Sequence, residues 1–352
     1  MSARAQSKAV TLVAAIQKGN IVAKIVVVTG ASAGVGRATV EEFARQGYDV
    51  ALLARDPDRL ERVAAELRSA HGVRVLAIPT DVADAEAVDA AAVKTDAELG
   101  PIDVWVNVAM ATVFAPVSKL TAQEVERGTR VTYLGQVHGM MAALSRMRVR
   151  NRGTIVNVGS ALAYRSVPLQ SIYCGAKAAI RGFTDSLRSE IIHDKLAVHL
   201  TTVDLPAVNT PQFDWALNKM GRKAKPVAPI FEPEVPARAI FFAATHRRRE
   251  VWVGFPTVKA ILANRIAPGL IDTYLASAGY EGQLTDETLA ADAPANLFKA
   301  VPGNYGAHGR FDRQSKLGSW EMFTDRHRTA FWGAAGIGLL AAVHLLAKRV
   351  KI

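Results

Sequence analysis

Cysteine is almost missing from this chain. Cys174 is the one present, which excludes an internal disulfide and a cysteine-held metal cluster. Aromatic residues are also few, at 7 %. Acidic side chains are in deficit, 32 against 43 Lys and Arg, for a net charge of +11. Such a surplus suits nucleic acid, an anionic membrane surface or a phosphorylated cofactor. The basic residues are scattered, however, apart from Arg247-Arg248-Arg249 and the C-terminus. No zinc-finger, RRM or basic-zipper pattern accompanies them, so nucleic acid is not expected as a partner. The apolar run 9–16 is short and gives way to Gln17-Lys18-Gly19, too polar for a secretory signal. No internal repeat is found.

What is there is apolar and periodic. Half of the 352 residues are apolar, enough for one large domain and an appendage. Residues 24–29 form a β-branched run ended by glycine, which reads as a buried strand. Further strands are expected at 49–54, 74–78, 104–108, 154–158 and 198–203. Helices are expected between them: 37–46 up to Gly47, then from Asp56-Pro57 to about residue 70. Others cover 84–99, then a long one at 121–147 opened by a Thr121–Glu124 capping box, and 170–194. Strict alternation of apolar strands and helices predicts an α/β, doubly wound parallel sheet covered on both faces.

The first strand-to-helix turn carries Gly30, Ser32, Gly34, Val35 and Gly36. Glycines there let the backbone approach a pyrophosphate, and amides at the helix start hold its charge. An acid for the adenosine ribose belongs about 20 residues on, where Ala54 and Arg55 stand instead. A guanidinium in place of a carboxylate favours a 2′-phosphate, hence NADP over NAD, with Arg37 as a second candidate cation. Asp81, after the third strand, is placed to accept from the adenine amino group. Ser160 ends the fifth strand, and Tyr173 and Lys177 follow four residues apart. On a helix these two share a face. A nearby ammonium favours the phenolate and makes the tyrosine a usable acid or base, with the Ser160 hydroxyl holding the oxygen whose proton moves.

Together these residues resemble the short-chain dehydrogenase/reductase family over 23–255. The matches are Thr29-Gly30-x-x-x-Gly34-x-Gly36, Asp81-Val82, Ser160, Tyr173-x-x-x-Lys177 and Pro206-Ala207-Val208-Asn209-Thr210. The resemblance implies a seven-stranded Rossmann sheet of order 3-2-1-4-5-6-7, its seventh strand near 250–253. It implies catalysis by Ser160, Tyr173 and Lys177, with the last two also touching cofactor. Asp81 and Val82 would meet the adenine; Pro206, Val208 and Thr210 would meet the nicotinamide end. It further implies an NADP(H)-dependent carbonyl/alcohol oxidoreductase and a homodimer or homotetramer. Three positions depart from the family. Asn107-Val108-Ala109-Met110 replaces Asn-Asn-Ala-Gly, with Asn107 and Ala109 still beside the cofactor. Thr132 falls at the fourth catalytic position, an asparagine in the family, and Ala207 replaces a glycine. Thr132 and Met110 motivate the alternative of a weakly active or inactive NADP-binding scaffold.

Substrate is expected against 110–117, 161–167 and the insert 211–229. The first two are apolar (Met110, Val113, Phe114, Leu162, Tyr164) except for Arg165. The insert reads as a mobile lid, with Phe213, Trp215 and Leu217 inside and Lys219, Arg222, Lys223 and Lys225 at its rim. An apolar, lipid-like carbonyl or alcohol fits such walls. The chain divides into an N-terminal segment 1–22, the dehydrogenase domain 23–275, an extended, Gly/Pro-rich and weakly structured linker 276–329 expected to wrap the domain, an apolar helix 330–347 and a basic tail 348–352. The run 330–347 has His344 as its one ionisable residue and is just long enough to cross a hydrocarbon core of about 30 Å. Phe331 and Trp332 mark one end, and Lys348, Arg349 and Lys351 flank the other. A membrane-associated protein with a cytoplasmic catalytic domain is expected; a buried dimer helix is the alternative.

Overall fold

β1 (Ile25–Thr29) has no polar residue before Thr29, and all five positions are buried. A strand without alternation must be covered on both faces, and β1 lies inside the sheet. The computed structural model describes residues 23–319. Beside β1 run β2 (Asp49–Ala54), β3 (Val75–Pro79), β4 (Val104–Asn107), β5 (Gly153–Ser160), β6 (Val198–Leu205) and β7 (Glu250–Trp252). Every pairing among them is parallel, in the order β7-β6-β5-β4-β1-β2-β3. This is the expected doubly wound order, read from the opposite edge.

Helices cover both faces. α1 (Gly34–Arg45) and α2 (Pro57–His71) share one side with α7 (Glu234–Thr245), packing Val40, Phe43, Leu60, Val63 and Ile240 into one core. α3 (Ala85–Glu98), α5 (Gly135–Arg150) and α6 (Ser171–His193) take the other side, with Val88, Met140, Met147, Ile172 and Leu187. The helix ends follow local rules. Asp56 accepts from the Arg59 amide at 3.0 Å, Pro57 opens α2, and Gly72 closes it with φ 67°. Thr121 and Glu124 form the capping box that opens α4 (Ala122–Thr129). The single long helix expected here is interrupted by a π-helical turn, Arg130–Leu134. Within that turn Thr132 is tied to Ala111 through its hydroxyl.

The C-terminal part departs most from expectation. α8 (Phe255–Ile266) is followed by α9 (Pro268–Ala278), which runs across the expected boundary at 275. Beyond it the chain folds back over the domain as an anchored strap. Leu284–Thr288 pairs with Arg222–Ala224, and Ser315–Lys316 pairs with Ile230–Phe231. Leu297, Val301 and Phe311 are buried. Glycine and proline keep the strap out of regular elements, but these three apolar anchors outweigh that. The insert 211–229 is likewise tied down: Leu217–Asn218 pairs with Val113–Phe114. The expected membrane helix, 330–347, lies outside the described residues. Among the described residues no helix is long and apolar enough to cross a membrane.

Candidate active site

The chain turns sharply where β1 ends. Gly30 and Gly34 have φ of +70° and +55°, a region that disfavours a side chain. A Cβ on Gly36 would lie 2.0 Å from the Gly30 carbonyl oxygen, so any side chain there displaces the loop. The Thr29 hydroxyl accepts from the amides of Val108 and Ala109 at 3.0 and 3.2 Å, fixing the end of β1 to the end of β4. The loop faces a cavity of about 1150 Å³. Gly30, Ser32, Gly34, Val35 and Gly36 line one part of it, and Ser160, Tyr173 and Lys177 another. Arg55, Asp81, Val82, Ala109, Pro206, Val208 and Thr210 also line it.

Ser160 is the last residue of β5, and its hydroxyl accepts from the Leu162 amide at 3.1 Å. Tyr173 and Lys177 sit one turn apart on α6. Lys177 is 2 % exposed, donates to the Val158 carbonyl at 2.6 Å, and holds Nζ 5.5 Å from the Tyr173 ring centre. Burial pushes Lys177 down to about 7, while Asp204 pulls it back up. The phenol of Tyr173 lies above its ordinary value, not below it as the lysine spacing suggested. Burial raises it and outweighs the hydrogen bond with Ser160. Cys174 is buried and its thiol is pushed up by that burial, which makes it a packing residue.

Three expected site residues do not line this cavity. Arg37 pairs with Glu66 at 2.5 Å, because its place on α1 faces α2 rather than the loop. Thr132 is 0 % exposed, and its hydroxyl both donates to and accepts from the Ala111 backbone at 2.9 Å. It anchors the segment beside Met110. Asn107 is buried in a polar ladder, accepting from the Trp105 indole at 2.8 Å and donating to Asn157 at 2.9 Å. Asn107→Leu is expected to cost about 2–6 kcal/mol in urea unfolding, because it leaves the Trp105 and Asn157 groups unpaired at roughly 1–3 kcal/mol each.

At the other end of the cavity the strap meets three arginines. Arg55 donates to the Asn296 carbonyl at 2.6 Å, and Arg127 to the Leu297 carbonyl at 3.0 Å. Arg59 donates to the Gly303 carbonyl at 3.0 Å and to that of Val301. Its guanidinium also lies 5.4 and 5.2 Å from the Trp215 and Tyr305 rings. The Gly34 amide donates to Gly306 at 3.1 Å. Asp81 pairs with Arg127 at 2.5 Å. Burial pushes Asp81 up, yet the Ala83 amide and Arg127 together hold it below the usual carboxylate value. Arg59 and Arg127 carry no motif, and nothing in their spacing marks them; only the path of the strap does.

The substrate walls are partly as expected. Met110, Leu162, Phe213 and Trp215 line the cavity. Arg165 does too, but its guanidinium is engaged by Asp272 and by Asn264 at 3.1 Å. Phe114 is 0 % exposed, and its ring centre lies 6.1 Å from that of Phe213 with the planes tilted by 43°. Tyr164 turns its hydroxyl away, to Asp204 and Glu250. In their place α8 and α9 supply Phe255, Ile271, Tyr274 and Leu275, a region without any recognisable motif.

A parallel sheet with a glycine turn and a Ser, Tyr and Lys around one cavity is the architecture of a dinucleotide-dependent oxidoreductase. The model of the family described as short chain dehydrogenase matches residues 24–219, and the chain belongs to that family of oxidoreductases. It is 27 % identical over 321 residues to the uncharacterized oxidoreductase YxnA of Bacillus subtilis (strain 168), covering 91 % of this chain and 89 % of that protein. Among solved structures it is similar to L-sorbose reductase from Gluconobacter frateurii, complexed with NADPH and L-sorbose. That match has 26 % identity and a TM-score of 0.59 over 66 % of this chain and 95 % of the other. A short-chain dehydrogenase/reductase from Burkholderia phymatum, solved with NAD, matches at 25 % identity and a TM-score of 0.62, over 72 % and 95 % of the two chains.

Proposed function

We propose that the protein interconverts a carbonyl and a secondary alcohol on an apolar, lipid-like substrate, using NADP(H) bound in this cavity. The observation that carries the reading is that one cavity joins the glycine turn, the Ser160–Tyr173–Lys177 set and a largely apolar wall. The residues fit a dinucleotide: Gly30, Ser32, Gly34, Val35 and Gly36 line the cavity, and the turn they form is too tight for a side chain at position 36. When bound there, the cofactor supplies or accepts hydride at the substrate carbon. Ser160 orients the substrate oxygen. Tyr173, kept protonated by burial, donates to that oxygen during reduction. Lys177 as ammonium offsets the negative charge left on the phenol and binds the nicotinamide ribose. Val208 and Thr210 hold the nicotinamide end.

NADP is favoured over NAD because Arg55, not an acid, follows β2 and lines the cavity, where its guanidinium also donates to the Asn296 carbonyl of the strap. A charge-assisted hydrogen bond contributes about 1.5–3 kcal/mol. Arg55→Ala is therefore expected to raise KM for NADPH about 10- to 100-fold while leaving KM for NADH nearly unchanged; equal effects on both would remove Arg55 from cofactor choice. Attachment to a membrane through 330–347 is part of the reading, supported by that run's composition and basic flank. Retention of the protein on membranes through a carbonate wash is the expected result.

The engagement of Thr132 by Ala111 favours a second reading, a scaffold that binds NADP without turning over. NADPH oxidation with a panel of hydrophobic ketones separates the two. Oxidation that depends on ketone supports the enzyme; quenching of NADPH fluorescence with no oxidation across the panel supports the scaffold.

A further inference from the structure

Asp204 is a buried acid that the reaction above does not use. It lies next to last on β6, opposite Gly159 of β5 and Trp252 of β7, and is 1 % exposed. Gly159 makes its space: a Cβ there would lie 2.0 Å from Asp204 Oδ1. A carboxyl this deep must be partnered. The Tyr164 hydroxyl lies 3.2 Å from Asp204 Oδ2 and 3.3 Å from Glu250 Oε2. A phenol has one proton to donate, so it serves one of the two acids at a time. Glu250 already receives the Arg249 guanidinium and, at 3.3 Å, the Trp252 indole N–H. Asp204 is the member left to exchange a proton with Tyr164.

Gly159, against which Asp204 packs, follows Val158, whose carbonyl receives Lys177 Nζ at 2.6 Å, so the acid and the catalytic helix's lysine meet adjacent residues of β5. The groups around it are the Ser160 amide and Tyr164 after β5, Tyr173 and Lys177 of α6, and Glu250 of β7. Arg181 of α6 stacks on the Tyr164 ring at 4.4 Å. We propose that Asp204 is a positioning residue for this site: linked through the Tyr164 hydroxyl to Glu250, its carboxylate is the counter-charge that holds Lys177 as an ammonium. The inference rests on the oxidoreductase reading for its consequence, though not for its geometry. Burial and the neighbouring Glu250 push Asp204 up to about 7, while Tyr164, Lys177 and the Ser160 amide pull it down. Lys177 moves the opposite way, down to about 7 by burial and up again by Asp204. Each of these two groups thus depends on the charge of the other within the neutral range. When Asp204 ionises, the ammonium is favoured, and the phenolate formed at Tyr173 has a cation beside it.

The test is a titration of full-length protein carrying 15Nζ-labelled lysine, with Lys177→Met identifying the Lys177 resonance. Asp204→Asn removes the charge and keeps the shape. It is expected to move the Lys177 titration toward acid by about one pH unit, as for loss of a nearby opposite charge. Tyr164→Phe, which deprives the ionised carboxyl of its donor, is expected to move it the same way by less, and serves if the Asn variant does not fold. In kinetics, Asp204→Asn should lower kcat/KM for a hydrophobic ketone about tenfold at pH 8 and recover most of that loss near pH 6. A Lys177 titration unmoved in these variants overturns the proposal. A titration that moves in a protein without turnover supports the coupling and overturns the oxidoreductase reading instead.

Discussion

Tyr173→Phe is expected to leave NADPH binding within about twofold and to cut kcat about 10²- to 10⁴-fold, the usual contribution of a positioned acid or base. The substitution deletes one oxygen and keeps the ring that Lys177 faces at 5.5 Å. The Lys177 bond to the Val158 carbonyl does not involve that oxygen, so the cation and the ribose site persist. Because burial keeps the phenol protonated, the lost group is the proton donor of the reduction. Binding is measured by NADPH fluorescence and turnover by loss of absorbance at saturating ketone. Unchanged turnover with intact binding would take Tyr173 out of the chemistry.

The second large effect is structural. Arg59 is 4 % exposed and joins α2 to the strap through the Gly303 and Val301 carbonyls, with Asp56 at 3.2 Å as its ion partner. Arg59→Ala leaves both carbonyls without their donor and Asp56 without its ion partner, and breaking a buried pair costs about 3–5 kcal/mol. The loss should concentrate in the strap, which has few other ties at this point. Limited proteolysis is expected to cut within 289–310 in the variant while sparing the wild type. Arg59→Lys should not rescue it, because one ammonium cannot reproduce the planar fork that reaches two carbonyls. Equal protease resistance in all three proteins would mean that the apolar anchors alone hold the strap.

Much of the sheet was legible because its signals are local. The β-branched run of β1, the Asp56-Pro57 start of α2, Gly72 at its end and the Thr121–Glu124 box are read within a few residues. The strap was not legible, since Leu297, Val301 and Phe311 follow no period and its carbonyls are met by arginines about 170 to 244 residues away in sequence. The same limit explains Arg37 and Arg55. Both are arginines near a glycine turn, and only their packing separates a partner of Glu66 from a residue that lines the cavity. Asp204 was overlooked for a related reason. At the end of an apolar strand it resembles a turn residue, until Gly159 and Tyr164 are seen to enclose it.

Everything proposed for this site comes down to hydride transfer between NADP(H) and a carbonyl carbon in the cavity bounded by Ser160 and Tyr173. It is tested most directly by incubating the full chain with NADPH deuterated at the transferable C4 position and a panel of hydrophobic ketones, then weighing the products. The expected product is an alcohol one mass unit heavier, with deuterium on the carbinol carbon, and none from Tyr173→Phe. NADPH that binds and returns with its deuterium in place across the whole panel would contradict it.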